Sequence, residues 1–158
     1  MAADKIPMTK EGFARLEEEL RQLKTVERPQ IIVAISQARE LGDLSENAEY
    51  HSSREKQSFI EGRILELEEA IGRAQVIDTA TLKSDKIVFG TKVKVVDEGT
   101  GKKLSYQIVG QYEADIEKGL ISVASPLGRA LLGKGEGDAV EFATPKGTKS
   151  FTIIKLGA

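Results

Sequence analysis

The sequence predicts an α+β chain in two parts: an antiparallel α-helical coiled-coil hairpin over residues 1–78, then a small antiparallel β-sheet domain with one short helix over residues 79–158. Three observations carry that expectation. Apolar residues recur at steps of three and four on both sides of Gly42, and the period changes to alternation after Asp78. Charge divides at the same place, with 11 Lys and Arg against 16 Asp and Glu in residues 1–78 (net −5) and 12 against 9 in residues 79–158 (net +3).

The first helix opens at Thr9, whose hydroxyl can accept from one of the unpaired amides at a helix start, just ahead of Lys10 and Glu11. Phe13, Leu16, Leu20 and Leu23 follow on one face. Pro29 lacks an amide hydrogen and crowds the turn before it, yet Ile31, Ile35 and Ala38 resume the stripe. A kink or a register change is therefore expected rather than a helix end. Gly42 marks the turn. Beyond it Tyr50, Ser53, Gln57, Ile60, Ile64, Leu67, Ile71 and Ala74 alternate steps of three and four, a seam that is polar near the turn and apolar away from it. A connection of two or three residues forces the helices antiparallel, and about thirty residues per arm at ~1.5 Å rise make a rod of about 45 Å.

In the second part, Lys92 to Val96 and Ser105 to Val109 read as strands around the turn Glu98-Gly99-Thr100-Gly101. Ser125 caps a short helix that Pro126 opens and Leu132 ends. Strands over 139–144 and 150–156 flank the Pro145-Lys146-Gly147 turn. The glycines of Gly133-Lys134-Gly135-Glu136-Gly137-Asp138 fit neither nucleotide-binding fingerprint and precede a strand where a helix would be needed, so they read as a turn.

Composition narrows the function classes. Among 158 residues 30% are charged and only 5% aromatic, with no Trp, which advertises no large pocket and no small-molecule substrate. No cysteine is present, which excludes disulfides, thiolate metal sites and cysteine nucleophiles. The start lacks the apolar core of a signal peptide and no run is long enough to span a bilayer, so a soluble cytoplasmic protein without membrane contact is expected. The net charge of −2 does not describe a globally basic nucleic-acid binder, so contact with DNA or RNA is expected to be local or borrowed from a partner.

The chemistry sits in the turn Leu41-Gly42-Asp43-Leu44-Ser45-Glu46-Asn47-Ala48-Glu49-Tyr50, because a hairpin carries its tip away from the rest of the molecule. Asp43 and Glu46 are three residues apart at a helix start, which is the pattern of a capping box favoured by the helix dipole. The same two hard oxygen donors also suit a magnesium ion whose other ligands come from elsewhere, since two carboxylates are too few to hold it alone. His51 and Glu55 form an i, i+4 pair, but a single histidine on a charged helix reads as solvated and receives no catalytic role. Arg39 and Arg54 lie on the tip side of the two arms, where they suit either a phosphate backbone or ion pairs with Glu40 and Glu55.

These residues closely resemble the GreA/GreB family of bacterial transcript cleavage factors, on the GreA side by the acidic balance. The likeness runs from end to end: Pro7-Met8-Thr9 with Gly12, Arg28-Pro29, Ala38-Arg39-Glu40, the stretch from Gly42 to Tyr50, Ala74 to Ile77, Val88-Phe89-Gly90, Ile121-Ser122, Ser125-Pro126 and Ala130 to Gly133. The resemblance implies a transcription elongation factor whose coiled coil enters the secondary channel of bacterial RNA polymerase, while an FKBP-like C-terminal domain docks at the channel rim. It implies that Asp43 and Glu46 help hold a Mg2+ shared with the polymerase active site, none being bound by the factor alone, so that backtracked nascent RNA is cleaved at its 3′ end and elongation resumes. Asn47 and Tyr50 would support the tip, Arg39 and Arg54 would lie near the displaced RNA, and Ser125 and Pro126 would meet the polymerase. Ala124 departs from the pattern, which carries a polar residue there.

By this reading the chain is no enzyme itself but stimulates one. Competing readings are a regulator of the same shape that inhibits the polymerase without inducing cleavage, a prolyl isomerase or chaperone built on the second part, and a structural coiled-coil adaptor. An aromatic proline pocket is poorly furnished by Phe89, Tyr106, Tyr112, Phe142 and Phe151.

Overall fold

The computed structural model describes residues 4–78 and 85–157. The predicted junction at 78/79 opens onto residues 79–84, which lie outside the described residues. The chain divides into two compact units, one built on Phe13–Ala74 and the other on Lys5–Gly12 together with the chain from Gln75 onward. The division is discontinuous, where the sequence suggests a single cut after residue 78.

The first unit is a helical hairpin. Helix α1 (Lys10–Gln22) runs through a π-turn at Leu23–Glu27 into α2 (Arg28–Arg39), and α3 (Ala48–Gly72) returns against α2. The π-turn is the register change that Pro29 imposes. Proline at the start of α2 has no amide to give and its ring would clash with the carbonyl four residues back, so the preceding turn widens and the Arg28 amide donates to the Leu23 carbonyl instead. Leu16, Leu23, Ile31 and Ala38 on one side, with Ile60, Ile64, Leu67 and Ala70 on the other, are the buried seam. Tyr50, Ser53 and Gln57 continue it half-buried toward the turn, as the polar positions predict. At the far end Ala70, not Ile71, is fully buried, because a helix of 3.6 residues per turn drifts against a seven-residue repeat.

Ion pairs flank the seam across the two arms. Arg28 grips Glu61 through Nε and Nη2, both at 2.8 Å, and Arg63 grips Glu19 at 2.6 and 3.0 Å. These pairs are partly exposed, so solvent screens them and they fix register more than they stabilise.

The second unit holds two sheets. Strands β1 (Ile6–Thr9) and β2 (Ala74–Ile77) form one, and neither is predicted from sequence, since four residues are too few to show alternation. Ala74 is thus the first residue of a strand rather than the last of a heptad. The second sheet contains β3 (Lys92–Asp97), β4 (Lys103–Val109), β5 (Leu120–Ser122), β6 (Ala139–Thr144) and β7 (Gly147–Leu156) in the order β5-β4-β3-β7-β6. Helix α4 (Pro126–Leu131) packs against β5 and β6. The four predicted strands and this helix are all present. The sheet is mixed rather than wholly antiparallel, because β5 pairs parallel to β4 after a connection containing the 3-10 turn Ile116–Lys118. A three-residue strand reached by a crossover leaves no period to read. Ile87, Val93, Val95, Ile108, Leu131, Phe151 and Ile153 centre the core, with Tyr106 stacked on Phe151 and Phe142 edge-on to it.

Glu113, only 6% exposed, ties the start of the chain to this unit. Its carboxylate accepts from the Thr9 amide at 3.0 Å, from the Thr9 hydroxyl, and from the Gly110 amide at 2.8 Å. Thr9 Oγ1 in turn accepts from the Gly12 amide at 3.0 Å, so the predicted N-cap of α1 is present. Residues 5–12 therefore belong with the sheet unit.

Candidate functional site

The turn that joins α2 to α3 is built by its own side chains. Gly42 leaves the helix with φ of 128°, a backbone region that residues with a Cβ rarely adopt. Leu44–Glu46 then close one 3-10 turn, which Asp43 caps: its Oδ1 accepts from the Ser45 amide at 2.9 Å and from Ser45 Oγ at 2.8 Å. Those donors, the amide foremost, hold the Asp43 carboxyl below its ordinary value and keep it ionised. Both bonds fall on Oδ1, leaving Oδ2 without a partner among the described residues. Glu46 is exposed, and its side chain makes no hydrogen bond or ion pair among the described residues.

The predicted reciprocal capping box between Asp43 and Glu46 does not form. A separate 3-10 turn takes the Asp43 cap, and the cap of α3 passes to Asn47, whose Oδ1 accepts from the Tyr50 amide at 3.0 Å. The Asn47 amide nitrogen Nδ2 donates back to the Ala38 carbonyl at 2.5 Å. One side chain thereby satisfies the start of α3 and the end of α2 together. Tyr50 accepts at its hydroxyl from Arg54 Nη1 at 3.0 Å, and the Arg54 guanidinium lies 5.9 Å from the Tyr50 ring centroid. Arg39 and Arg54 line one shallow groove with Ile35 and Gln57, so the structure brings this predicted pair together.

His51, read from sequence as merely solvated, is engaged: its Nε2 lies 3.2 Å from the Ser45 carbonyl and its ring is edge-on to Tyr50 at 5.6 Å. No cluster of three or more potential metal ligands exists among the described residues, around His51 and Glu55 or elsewhere. Sequence reasoning also misses Ser45, which sets the Asp43 carboxylate, although the Asp-x-Ser spacing of an Asx-turn signals it.

In the sheet unit Ser125 caps α4, accepting from the Gly128 amide at 3.0 Å and donating to the Ser122 carbonyl at 2.7 Å, with Pro126 exposed at the first helical position. Gly128 is required here because a Cβ would stand 2.1 Å from the Ser122 carbonyl oxygen. Ala124 is exposed, and its amide donates to Ser122 Oγ at 3.1 Å.

The donor set at the tip fits a hard divalent cation in part: two exposed carboxylates, one held ionised and one unengaged, offer oxygen ligands but no closed coordination sphere. No helix among the described residues is long and apolar enough to cross a membrane.

Comparison with known proteins accords with these features. A family model described as transcription elongation factor, N-terminal, matches residues 6–76, and one described as transcription elongation factor, GreA/GreB, C-term, matches residues 82–157. The transcription elongation factor GreA of Jannaschia sp. (strain CCS1) is 63% identical over 97% of both chains, and that of Ruegeria pomeroyi is 61% identical over the same shares. The solved structure of Thermus aquaticus Gfh1 is 31% identical, covering 99% of this chain and 100% of its own, with a TM-score of 0.45. The chain belongs to the GreA/GreB family of transcription elongation factors.

Proposed function

We propose that this chain binds bacterial RNA polymerase in the cytoplasm, presents its helical tip through the secondary channel, and stimulates the polymerase's own cleavage of backtracked nascent RNA. The observation that carries this reading is the state of the tip carboxylates: Asp43 is ionised and half-engaged, and Glu46 is unengaged. Both are free to approach a cation bound elsewhere. Asp43 and Glu46 would help hold the shared Mg2+, and the ion would supply charge neutralisation and water activation for phosphodiester hydrolysis. Ser45 keeps Asp43 ionised, and Asn47 fixes the turn between the arms. Arg39 and Arg54 offer positive charge to RNA phosphates beside the tip. The loop of Ser125 and Pro126 is the proposed contact with the channel rim.

The chain thus acts as a donor of ligands to another catalyst and has no hydrolytic activity of its own. A regulator that only obstructs the channel has less need of this acidic pair, with Asp43 half-engaged and Glu46 unengaged among the described residues. A prolyl isomerase is disfavoured because Tyr106, Phe142 and Phe151 spend their faces on one another in the core. Arrested elongation complexes supplied with Mg2+ and this protein should release shortened RNA. The Asp43→Ala/Glu46→Ala variant should lose that activity while still competing with the unmodified protein for the polymerase. Normal cleavage by the double variant would refute the proposal.

A further inference from the structure

We propose that His51 is a positioning residue of the acidic tip, holding the turn that carries Asp43 and Glu46 through a hydrogen bond from its Nε2 to the Ser45 carbonyl. The inference rests on the function proposed above. A carbonyl only accepts, so the 3.2 Å contact requires the proton on Nε2, leaving Nδ1 as the other ring nitrogen.

The 3-10 turn Leu44–Glu46 is short and exposed, and the backbone bond that joins it to the start of α3 is a long one, from the Asn47 amide to the Leu44 carbonyl at 3.4 Å. Among the described residues no helical amide donates to the Ser45 carbonyl. Each of the other ties at the tip leaves Glu46 loose: Asp43 bonds within the turn to Ser45, and Asn47 bonds to Ala38 and Tyr50 beyond it. Among the described residues, His51 alone runs from the first turns of α3 back to the middle of the 3-10 turn, on the residue between Leu44 and Glu46. Edge-on contact with the half-buried Tyr50 ring fixes the imidazole plane, so the donor points where the carbonyl lies. Without this bond the peptide on the N-terminal side of Glu46 can turn, and the two carboxylates cease to be held at one separation. Delivery of two ligands to one cation depends on that separation.

Two substitutions divide the ring from its proton. His51→Phe keeps the edge-on ring and removes the donor, whereas His51→Gln keeps a nitrogen donor near the Nε2 position and removes the ring. The expected result for His51→Phe is a maximal cleavage rate reduced about tenfold, with the half-saturating factor concentration within about twofold of the unmodified protein, because one exposed hydrogen bond is lost at the tip and none at the dock. In the free protein the Asn47 amide should exchange with solvent faster in His51→Phe, and His51→Gln should restore both rate and protection. Unchanged cleavage and exchange in His51→Phe, or equal damage from both variants, would overturn the proposal. If the unmodified protein promotes no cleavage, the proposed function itself falls and the exchange readout alone decides the role of His51.

Discussion

Replacing Asn47 with alanine tests whether the two arms are fastened at the tip by one side chain. Two interactions are lost: the N-cap of α3, at 3.0 Å to the Tyr50 amide, and the bond to the Ala38 carbonyl at 2.5 Å. A lost cap costs about 1 kcal/mol, and a half-buried hydrogen bond contributes another ~1 kcal/mol. The sum, about 2 kcal/mol, should appear as roughly 30-fold faster exchange of the Tyr50 amide, measured by native-state hydrogen exchange under conditions that report local opening. Asn47→Asp separates the two contributions. It retains an acceptor for the Tyr50 amide, favoured by the helix dipole, but faces the Ala38 carbonyl with a second acceptor. Exchange should therefore accelerate less at Tyr50 in Asn47→Asp than in Asn47→Ala, while Leu41 and its neighbours at the end of α2 loosen in both. The reasoning fails if Asn47→Ala leaves Tyr50 exchange within about twofold of the unmodified protein, or if the end of α2 is undisturbed in Asn47→Asp.

Gly12→Ala sets helix propensity against packing, since alanine is favoured by about 1 kcal/mol inside a helix. A Cβ at Gly12 would stand 1.8 Å from Glu113 Oε1 and 2.4 Å from its Cγ, expelling a carboxylate that receives the Thr9 and Gly110 amides. Stranding those buried donors outweighs the propensity gain, so urea unfolding should show net destabilisation of about 2 kcal/mol; a more stable variant would refute the packing argument. Ser45→Ala removes one of the two donors to Asp43 and keeps the amide, so the Asp43 carboxyl should titrate higher, part of the way to an ordinary aspartate, by carboxyl carbon NMR. Because the folded value is depressed, the stability linked to this cap is present above the unfolded aspartate value and is lost as pH falls through the folded one. That loss should be smaller, and complete at higher pH, in Ser45→Ala, and an unchanged titration would count against Ser45 as the cause.

The long elements were legible because they repeat: the seam from Ile60 to Leu67 and the alternation from Lys92 to Val96 each show several periods. The strands β1, β2 and β5 were not, since three or four residues hold no period and their pairing is decided by partners distant in the chain. The tip turn announced itself through Gly42, Asp43 and Glu46, and the turn is where both carboxylates lie. Its internal wiring was less visible. An Asp43–Glu46 box and an Asn47 cap use the same residue types one register apart, and only the intervening 3-10 turn decides between them. Glu113 could not be tied to Thr9 from sequence, because 104 residues separate them and a lone glutamate beside Tyr112 and Ala114 looks like ordinary surface.

The widened turn ahead of Pro29 bears on how the length of the arm can vary. Along the first arm the buried positions Leu16, Leu23, Ile31 and Ala38 fall at intervals of seven, eight and seven. The interval of eight spans the π-turn, which absorbs one surplus residue as a local swelling instead of passing a rotation of about 100° to everything beyond it. Angular phase is thereby uncoupled from residue count, and the carboxylates keep their azimuth about the helix axis whether or not the surplus is present. Pro29 makes the swelling permanent, so in this chain the correction is built into the covalent structure and does not wait on the fit to a partner.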